Sequence, residues 1–285
     1  MASRVRLKQA LDVVRESCDL PARRDADPVG IVHRYAHPLD RELVGLIAAS
    51  MAFGNVKTIR NKLEELLARV GPSPHLAARD EAAVVAALRG FRHRVYRGED
   101  LARLMAGAAR LQSAHGSLGE LFASLHRETG GDTRESLARF CDRLRESSNL
   151  RRGGARRGPS HMLPDPRAGS AVKRLLLYVR WMVRPADGID LGLWDVPSSA
   201  LVIPVDTHIH KLARNLGLTK RDDVSWRTAT EITAALAELD AGDPVKYDFS
   251  LCHMGMLQRC PSRRDPVRCE GCPVKPVCRH WSKKN

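Results

Sequence analysis

Hydrophobic positions along this chain recur at the spacing of amphipathic helices, within segments made largely of Ala, Leu, Arg and Glu. Residue types that favour strands are scarce, and the one short apolar run of that kind, at residues 200–205 (ALVIPV), is interrupted by a proline. The pattern therefore predicts an all-α fold. Helices are expected over residues 4–17, 40–52, 56–70, 81–88, 98–114, 118–124, 133–146, 170–183, 207–216, 225–239 and 244–257.

Two long segments, at residues 147–169 and 184–204, lack the helical pattern, and both are predicted to be loops. The second carries Trp194. The first is rich in Gly and Pro and contains a run of basic side chains, Arg151, Arg152, Arg156 and Arg157. Such a run is typical of a solvated linker or of an arm that contacts DNA phosphates, and both interpretations stay open.

The balance of charges adds a prediction about partners. The chain has 285 residues, a length typical of one or two domains, and 47 Lys plus Arg face 33 Asp plus Glu, which gives a net charge of +14. A field of this sign attracts polyanions, DNA first and RNA as a further option. No apolar run reaches the roughly 18 residues of a membrane span, and the first 17 residues are charged rather than signal-like. We therefore expect a cytoplasmic protein without membrane contact.

Cysteines are concentrated at one end of the chain. Four of the seven lie within the last 26 residues, at Cys260, Cys269, Cys272 and Cys278, with the spacing C-x8-C-x2-C-x5-C. In a reducing compartment such clustering indicates a metal site rather than disulfides. A zinc site usually has two close pairs, and only one C-x2-C is present. The spacing favours a [4Fe–4S] cluster, with zinc or four structural or redox thiols as the alternatives.

This cysteine pattern resembles the C-terminal cluster loop of the endonuclease III family of DNA repair glycosylases, with a first gap longer than is usual there. In that family the cluster shapes a basic loop that contacts the phosphate backbone and does not cleave bonds. The resemblance implies the same role for the loop here, with Arg263 and Arg264 as DNA contacts and Arg268 and Lys275 adding positive charge.

A second motif is VDTHIHKLARNLGL at residues 205–218, which is similar to the VDTH-x3-R-x3-R-x-G signature of the helix-hairpin-helix glycosylases. The resemblance implies that Asp206 is the catalytic aspartate. Its position before an amphipathic helix also suits an N-cap, where the helix dipole would keep the carboxylate ionised. Catalysis and simple capping are both open for Asp206.

The lyase members of that superfamily carry a lysine after a Gly-Val-Gly turn, and the corresponding stretch here is LPDPRAGSAVKRLLLYVRW. Aligning Gly169 with the first turn glycine makes Lys173 the implied nucleophile, with Gly169 and Ser170 in the phosphate-binding turn. In the first turn of a helix and in a cleft, the dipole and desolvation would both lower the pKa of Lys173. The alternative is a solvated lysine that contacts a phosphate.

A third resemblance covers residues 42–63 (ELVGLIAASMAFGNVKTIRNKL), which is similar to a family helix whose terminal glutamine fills the gap left by a flipped base. Phe53 stands close to that place and is expected either to wedge into the base stack or to belong to the core. Asn55, two positions later, is taken as a further DNA contact.

Taken together, these motifs resemble the helix-hairpin-helix DNA glycosylase superfamily, iron–sulfur type. The stretches AVKRLLLYVRWMVR, DLGLW, PVDTH and DPVKYDFSL are similar to a bacterial family within it that is known only as a domain of unknown function. The resemblance implies two helical domains flanking a DNA-binding cleft, with an N-terminal helix at residues 1–38, a helical-barrel domain at 39–204 and a cluster domain at 205–285.

The expected function is a monomeric DNA base-excision-repair glycosylase at the nucleoid, with or without abasic-site lyase activity. Its partner would be double-stranded DNA with a damaged base or an abasic site, and the base would be flipped into the cleft. The alternative is a non-catalytic iron–sulfur protein that binds DNA or senses damage on the same scaffold.

Overall fold

The computed structural model describes residues 2–150, 157–257 and 260–281. Within these ranges the chain is mostly helical, which confirms the all-α class. The helices are α1 (Ala2–Glu16), α2 (Leu20–Ala26), α3 (Val29–Val32), α4 (Pro38–Met51), α5 (Val56–Val70), α6 (Pro74–Ala77), α7 (Glu81–Ala87), α8 (Gly98–His115), α9 (Leu118–Glu128), α10 (Thr133–Ser147), α11 (Arg157–Met162), α12 (Lys173–Val183), α13 (Thr207–Leu216), α14 (Trp226–Ala237) and α15 (Asp248–Leu257).

Strand structure in the described part of the chain is a single two-stranded hairpin, β1 (Arg92–His93) with β2 (Tyr96–Arg97), paired antiparallel. The apolar run at residues 200–205 forms no ladder within the described ranges, since it begins at the end of the 3₁₀ turn Ser198–Ala200 and continues as extended chain. Two further 3₁₀ turns lie at Pro166–Ala168 and Lys275–Val277.

Polar side chains at the helix ends explain several of the boundaries. Asn55 accepts a hydrogen bond from Thr58 N at 3.2 Å and begins α5, and Ser225 begins α14 in the same way through Thr228 N at 3.3 Å. These side chains satisfy amide groups that have no partner inside the helix. Gly217 ends α13 with a positive φ of 78°, a conformation that glycine adopts without steric cost.

Contacts within the chain divide it into two units. We call Met1–Arg23, Gly169–Leu176 and Pro197–Asn285 the terminal unit, and Arg24–Ala168 and Leu177–Val196 the central unit. In the terminal unit α1 packs on α15 and on the 3₁₀ turn at Lys275–Val277. The hydroxyl of Tyr247 donates to Asp12 Oδ1 at 2.6 Å and links α1 to the residue before α15.

The central unit has a core of helices α4, α8, α9 and α10 around the side chain of Trp194, which comes from a loop. The Trp194 ring lies 5.2 Å from that of Phe122 and 5.2 Å from that of Tyr178. Its Nε1 donates to the buried carboxylate of Glu42 at 2.7 Å. Glu42 also accepts from Leu118 N and Gly119 N at the start of α9, so one carboxylate satisfies a helix end and an indole.

Candidate active site and cysteine pocket

The turn that precedes α12 determines where Lys173 lies in the terminal unit. Gly169 has a φ of 89°, its carbonyl accepts from Trp226 N at 2.9 Å, and Ser170 forms an isolated antiparallel bridge with Ser225. Val172 has a φ of 38°, which a β-branched residue adopts only when its surroundings hold it there. The helix therefore begins at Lys173, three residues later than the sequence pattern predicts, with Lys173 at its first position.

Asp206 is the N-cap of α13 and also the ion-pair partner of Lys173. Its Oδ1 accepts from His208 N and from Ile209 N, each at 2.9 Å. Its Oδ2 accepts from Lys173 Nζ at 2.6 Å, across 33 positions of the sequence. The two predicted catalytic residues are therefore in contact. Asp206 caps the helix and pairs with Lys173 at the same time, because Oδ1 accepts the amides and Oδ2 accepts the ammonium group.

The charges in this pair are strongly coupled. Burial acts to lower the pKa of Lys173, but the charge and the hydrogen bond of Asp206 outweigh it, and the pKa is raised. Burial acts to raise the pKa of Asp206, but Lys173 and the amide of Ile209 outweigh it, and the pKa is lowered. The expectation of a lowered lysine pKa is thus wrong, because the charge and hydrogen bond of Asp206 raise this pKa by more than the helix dipole and desolvation lower it.

Further acidic groups surround Lys173. Asp248, at the start of α15, and the thiol of Cys252, one turn later, both act to hold the pKa of the lysine up. Asp248 is buried and Cys252 is half-buried. In this environment the amine is an ammonium ion at neutral pH, and it can act as a nucleophile only after it transfers a proton.

The four C-terminal cysteines line one small cavity of about 20 Å³ in the terminal unit. None of these four is joined in a disulfide. Other lining residues are Leu212, Asn215, Leu216, Pro261, Val274, Lys275, His280 and Trp281. Asn215 Nδ2 donates to Cys260 Sγ at 3.4 Å, and backbone amides of Val274 and Lys275 donate to Cys272. The sequence motif therefore folds into a pocket with donors aimed at sulfur.

These contacts bear on which metal group the pocket fits. Burial raises the pKa of the Cys260, Cys272 and Cys278 thiols, so a metal that binds there must displace protons. In the described part of the chain, only one group of three or more His, Cys, Asp or Glu has ligand atoms within 4.8 Å of one another, and it contains no cysteine. Tetrahedral zinc brings thiolates to about 4 Å apart. The four thiols are thus not at the spacing of a tetrahedral zinc site, and a cluster held by them stays a prediction.

A basic cleft of about 350 Å³ adjoins the cysteine pocket through Cys260. Its charged lining residues are Lys211, Arg263, Arg264, Asp265 and Arg268. Arg264 stacks on the Trp281 ring with its guanidinium carbon 4.1 Å from the ring centroid, so its planar group is held in place. Predicted DNA contacts Arg263 and Arg264 thus line one concave surface with two further cations, which suits an anionic ligand.

The other predicted DNA contacts lie in the central unit. Phe53 is half-buried, with its ring centroid 4.8 Å from that of His161 and 5.2 Å from that of Tyr96, a packing typical of a core residue. Asn55 is exposed and caps α5, and Arg157 is exposed at the start of α11. The other predicted DNA contacts, Arg151, Arg152 and Arg156, lie outside the described residues.

Sequence reasoning missed a second polar cleft, of about 430 Å³, in the central unit. It is lined by Arg24, Asp25, Gly30, His33, Arg34 and Arg60. Arg34 pairs with Glu64 at 2.6 Å, while Arg60 Nε is buried and makes no hydrogen bond within the described residues. No local signal could have found this cleft, because its arginines come from α2, from the turn after α3 and from α5.

Comparison with known proteins gives a family for the chain. Residues 27–257 match DUF2400, described as a protein of unknown function. The chain belongs to the DUF2400 family. No curated protein and no solved structure matches it.

The family assignment corrects the superfamily expected from the sequence, since nothing in the comparisons supports membership of the helix-hairpin-helix glycosylases. The motifs behind that expectation are short. Gly-Ser-Ala replaces the Gly-Val-Gly turn, and the first cysteine gap is longer than that family's. Helix capping and the ion pair with Lys173 also account for an aspartate at position 206 without a catalytic role.

No helix in the described ranges is long and apolar enough to cross a membrane.

Proposed function

We propose that this protein is a DNA-processing enzyme in which Lys173 and Asp206 excise a damaged base, with abasic-site lyase activity from the same lysine. The observation that carries the proposal is the 2.6 Å contact between Lys173 Nζ and Asp206 Oδ2, made at the starts of two helices and next to a strained Val172. Strained backbone and coupled titratable groups are typical of functional sites.

The chemistry follows from the ion pair. Lys173 transfers a proton through Asp206 to the departing base, and the neutral amine attacks the sugar C1′. The C1′–N bond breaks, and the base leaves with the proton. A second amine proton then passes through Asp206 to the ring oxygen O4′, the C1′–O4′ bond breaks, and a protonated imine joins Lys173 to C1′. The carboxylate of Asp206 stabilises the positive charge that develops on the sugar. On an abasic site the amine adds to the aldehyde directly, with loss of water.

A [4Fe–4S] cluster held by Cys260, Cys269, Cys272 and Cys278 is part of this proposal, with zinc as the alternative group. The shared cavity, the amide donors to Cys272 and the C-x8-C-x2-C-x5-C spacing of the sequence support it. The group would fix the backbone of the loop that carries Arg263 and Arg264. Its contribution is therefore to binding, and no bond is made or broken on it.

Double-stranded DNA with a damaged base or an abasic site is the proposed partner of a monomer that acts at the nucleoid in the cytoplasm. The net charge of +14 and the basic cleft of Lys211, Arg263, Arg264 and Arg268 support a polyanionic ligand. Such contacts with the backbone position a duplex without reading its sequence.

A second candidate function, a non-catalytic iron–sulfur protein that binds DNA, is favoured by one observation. Asp206 and Lys173 satisfy each other, and Asp206 also caps α13, so a purely structural role accounts for both side chains. The two candidates differ in whether Lys173 ever forms a bond to DNA.

Borohydride trapping separates them. The full-length protein is incubated with duplexes that carry an abasic site or one of a panel of damaged bases, and reduction converts an imine into a stable protein–DNA adduct. Lys173→Gln should abolish the adduct with little effect on duplex binding. Lys246→Gln is the matched control, because Lys246 pairs with Asp240 at the same 2.6 Å in the same unit. An adduct that survives Lys173→Gln, or no adduct and no released base on any duplex, would contradict the enzyme proposal.

A further inference from the structure

Three side chains of the central unit, His37, Asp40 and His75, bring ligand atoms within 4.8 Å of one another. His37 is the N-cap of α4, Asp40 lies in the first turn of α4, and His75 lies in α6. Asp40 and His75 are buried, whereas His37 is exposed. None of them belongs to the site proposed for DNA chemistry, which lies in the terminal unit.

Two of the three are already at the spacing of metal ligands. Asp40 Oδ1 lies 2.8 Å from His75 Nδ1. Neighbouring ligands that bind one ion at about 2.1 Å are separated by about 3 Å, so the two atoms already have that spacing. An ion would replace their direct contact and the 3.2 Å contact of Ser73 Oγ with His75 Nδ1. The backbone amide of His75 donates to the same oxygen at 2.8 Å, and Ser73 Oγ donates to Asp40 Oδ2 at 3.2 Å. These hydrogen bonds fix the carboxylate as outer contacts do around a bound metal.

The third ligand has to move, and it is the one that can. The His37 ring is stacked on the His75 ring, with centroids 4.4 Å apart and planes 9° from parallel. A metal binds in the plane of an imidazole, so two parallel rings cannot share one ion. His37 is exposed, and its Nδ1 accepts a single hydrogen bond, from Leu39 N at 3.3 Å. Rotation of the His37 ring would bring one of its nitrogens to an ion held by Asp40 and His75.

We propose that His37, Asp40 and His75 bind a divalent transition-metal ion, with Asp40 and His75 preformed and His37 closing on the ion. Two imidazoles and one carboxylate suit Mn²⁺, Fe²⁺ and Zn²⁺ and leave positions open for water or another ligand. His75 also lines a cavity of about 180 Å³ with Arg79, Gln112 and Ser113, which offers room and polar groups beside the ion.

The test uses Mn²⁺, because thiolates bind this hard ion poorly and the four cysteines then do not compete. The full-length protein is titrated with Mn²⁺, and binding is followed as loss of the electron paramagnetic resonance signal of the free ion. His37→Asn is the informative variant, since Asn keeps the N-cap of α4 and removes the imidazole. We expect it to weaken binding at least about tenfold, the loss seen when even outer contacts of a metal site are removed.

His208→Asn is the matched control, because His208 is exposed and lies in the terminal unit. It should bind Mn²⁺ as the unmodified chain does. A second measurement needs no variant: of the eleven histidines, His37 and His75 should show the first ring-proton broadening by Mn²⁺ in NMR spectra. No uptake of Mn²⁺, equal uptake by His37→Asn, or broadening confined to other histidines would overturn the proposal.

Discussion

Lys173 Nζ and Asp206 Oδ2 lie 2.6 Å apart, and the second oxygen of the same carboxylate caps α13 through two amides. One side chain therefore pairs with a half-buried cation and begins a helix. Loss of the carboxyl group and loss of its charge should have different consequences, and this difference gives the first prediction.

Asp206→Ala should destabilise the fold more than Asp206→Asn. Asparagine still accepts the two amides and keeps the cap, whereas alanine leaves them and Lys173 without a partner. The loss of the cap alone is worth about 1 kcal/mol in the free energy of unfolding. Denaturant unfolding of both variants measures the difference. Equal stability of the two would show that capping by Asp206 contributes nothing.

The pH dependence of trapping is the second prediction. The folded pKa of Lys173 is raised, so the amine is protonated at neutral pH and becomes neutral only as the pH rises toward that pKa. The initial rate of adduct formation should therefore increase with pH through the alkaline range. Asp206→Asn removes the charge that raises the pKa, and its profile should shift to lower pH. Identical profiles would contradict the coupling.

The same ion pair also determines how its contribution to stability varies with pH. Because the pKa of Asp206 is lowered on folding, its contribution is present above its ordinary value of 3.8 and is lost as the pH falls through the folded pKa. Because the pKa of Lys173 is raised, its contribution is present below 10.5 and is lost as the pH rises through the folded pKa. The pair therefore stabilises the fold across the whole neutral range.

The third prediction concerns the cysteine pocket. Cys272→Ser should abolish iron and sulfide binding, about four of each per chain for one cubane, and should loosen the loop it belongs to, because ligand binding there is part of folding. Cys18→Ser is the control, since Cys18 is half-buried and lies outside the pocket. Elemental analysis of anaerobically purified protein makes the measurement. One zinc per chain without sulfide would refute the cubane.

Two helices show how much of the fold could be predicted from the sequence. The pattern of residues 56–70 and 207–216 predicts α5 and α13 with their observed bounds, because an amphipathic repeat follows a capping side chain, Asn55 or Asp206, in each case. The four cysteines line one cavity because their spacing keeps them within 19 residues of sequence, and their role as cofactor ligands stays a prediction. Both signals are local, so a single sequence carries them.

What the sequence missed depends on contacts between distant segments. The pKa of Lys173 is raised by a carboxylate 33 residues away, and no pattern near the lysine reveals its sign. The short helices α3 and α6 are too brief for a hydrophobic period to appear. The pairing of Asp40 with His75 joins α4 to α6 across 35 positions of the sequence. The superfamily was misjudged because short motifs also arise from capping and charge.

The last prediction concerns the basic cleft beside the cysteine pocket. Replacing Arg263 and Arg264 together by alanine should weaken duplex binding and lower its salt dependence, because each phosphate contact releases counterions and contributes about 0.9 to the slope of log K against log salt. If both arginines contact phosphates, the slope should fall by about 1.8. Arg69→Ala is a suitable control, since Arg69 pairs with Glu65 on α5 in the other unit. An unchanged slope in the double variant would remove these arginines from the interface, and the charge of +14 would then have to act through other parts of the surface.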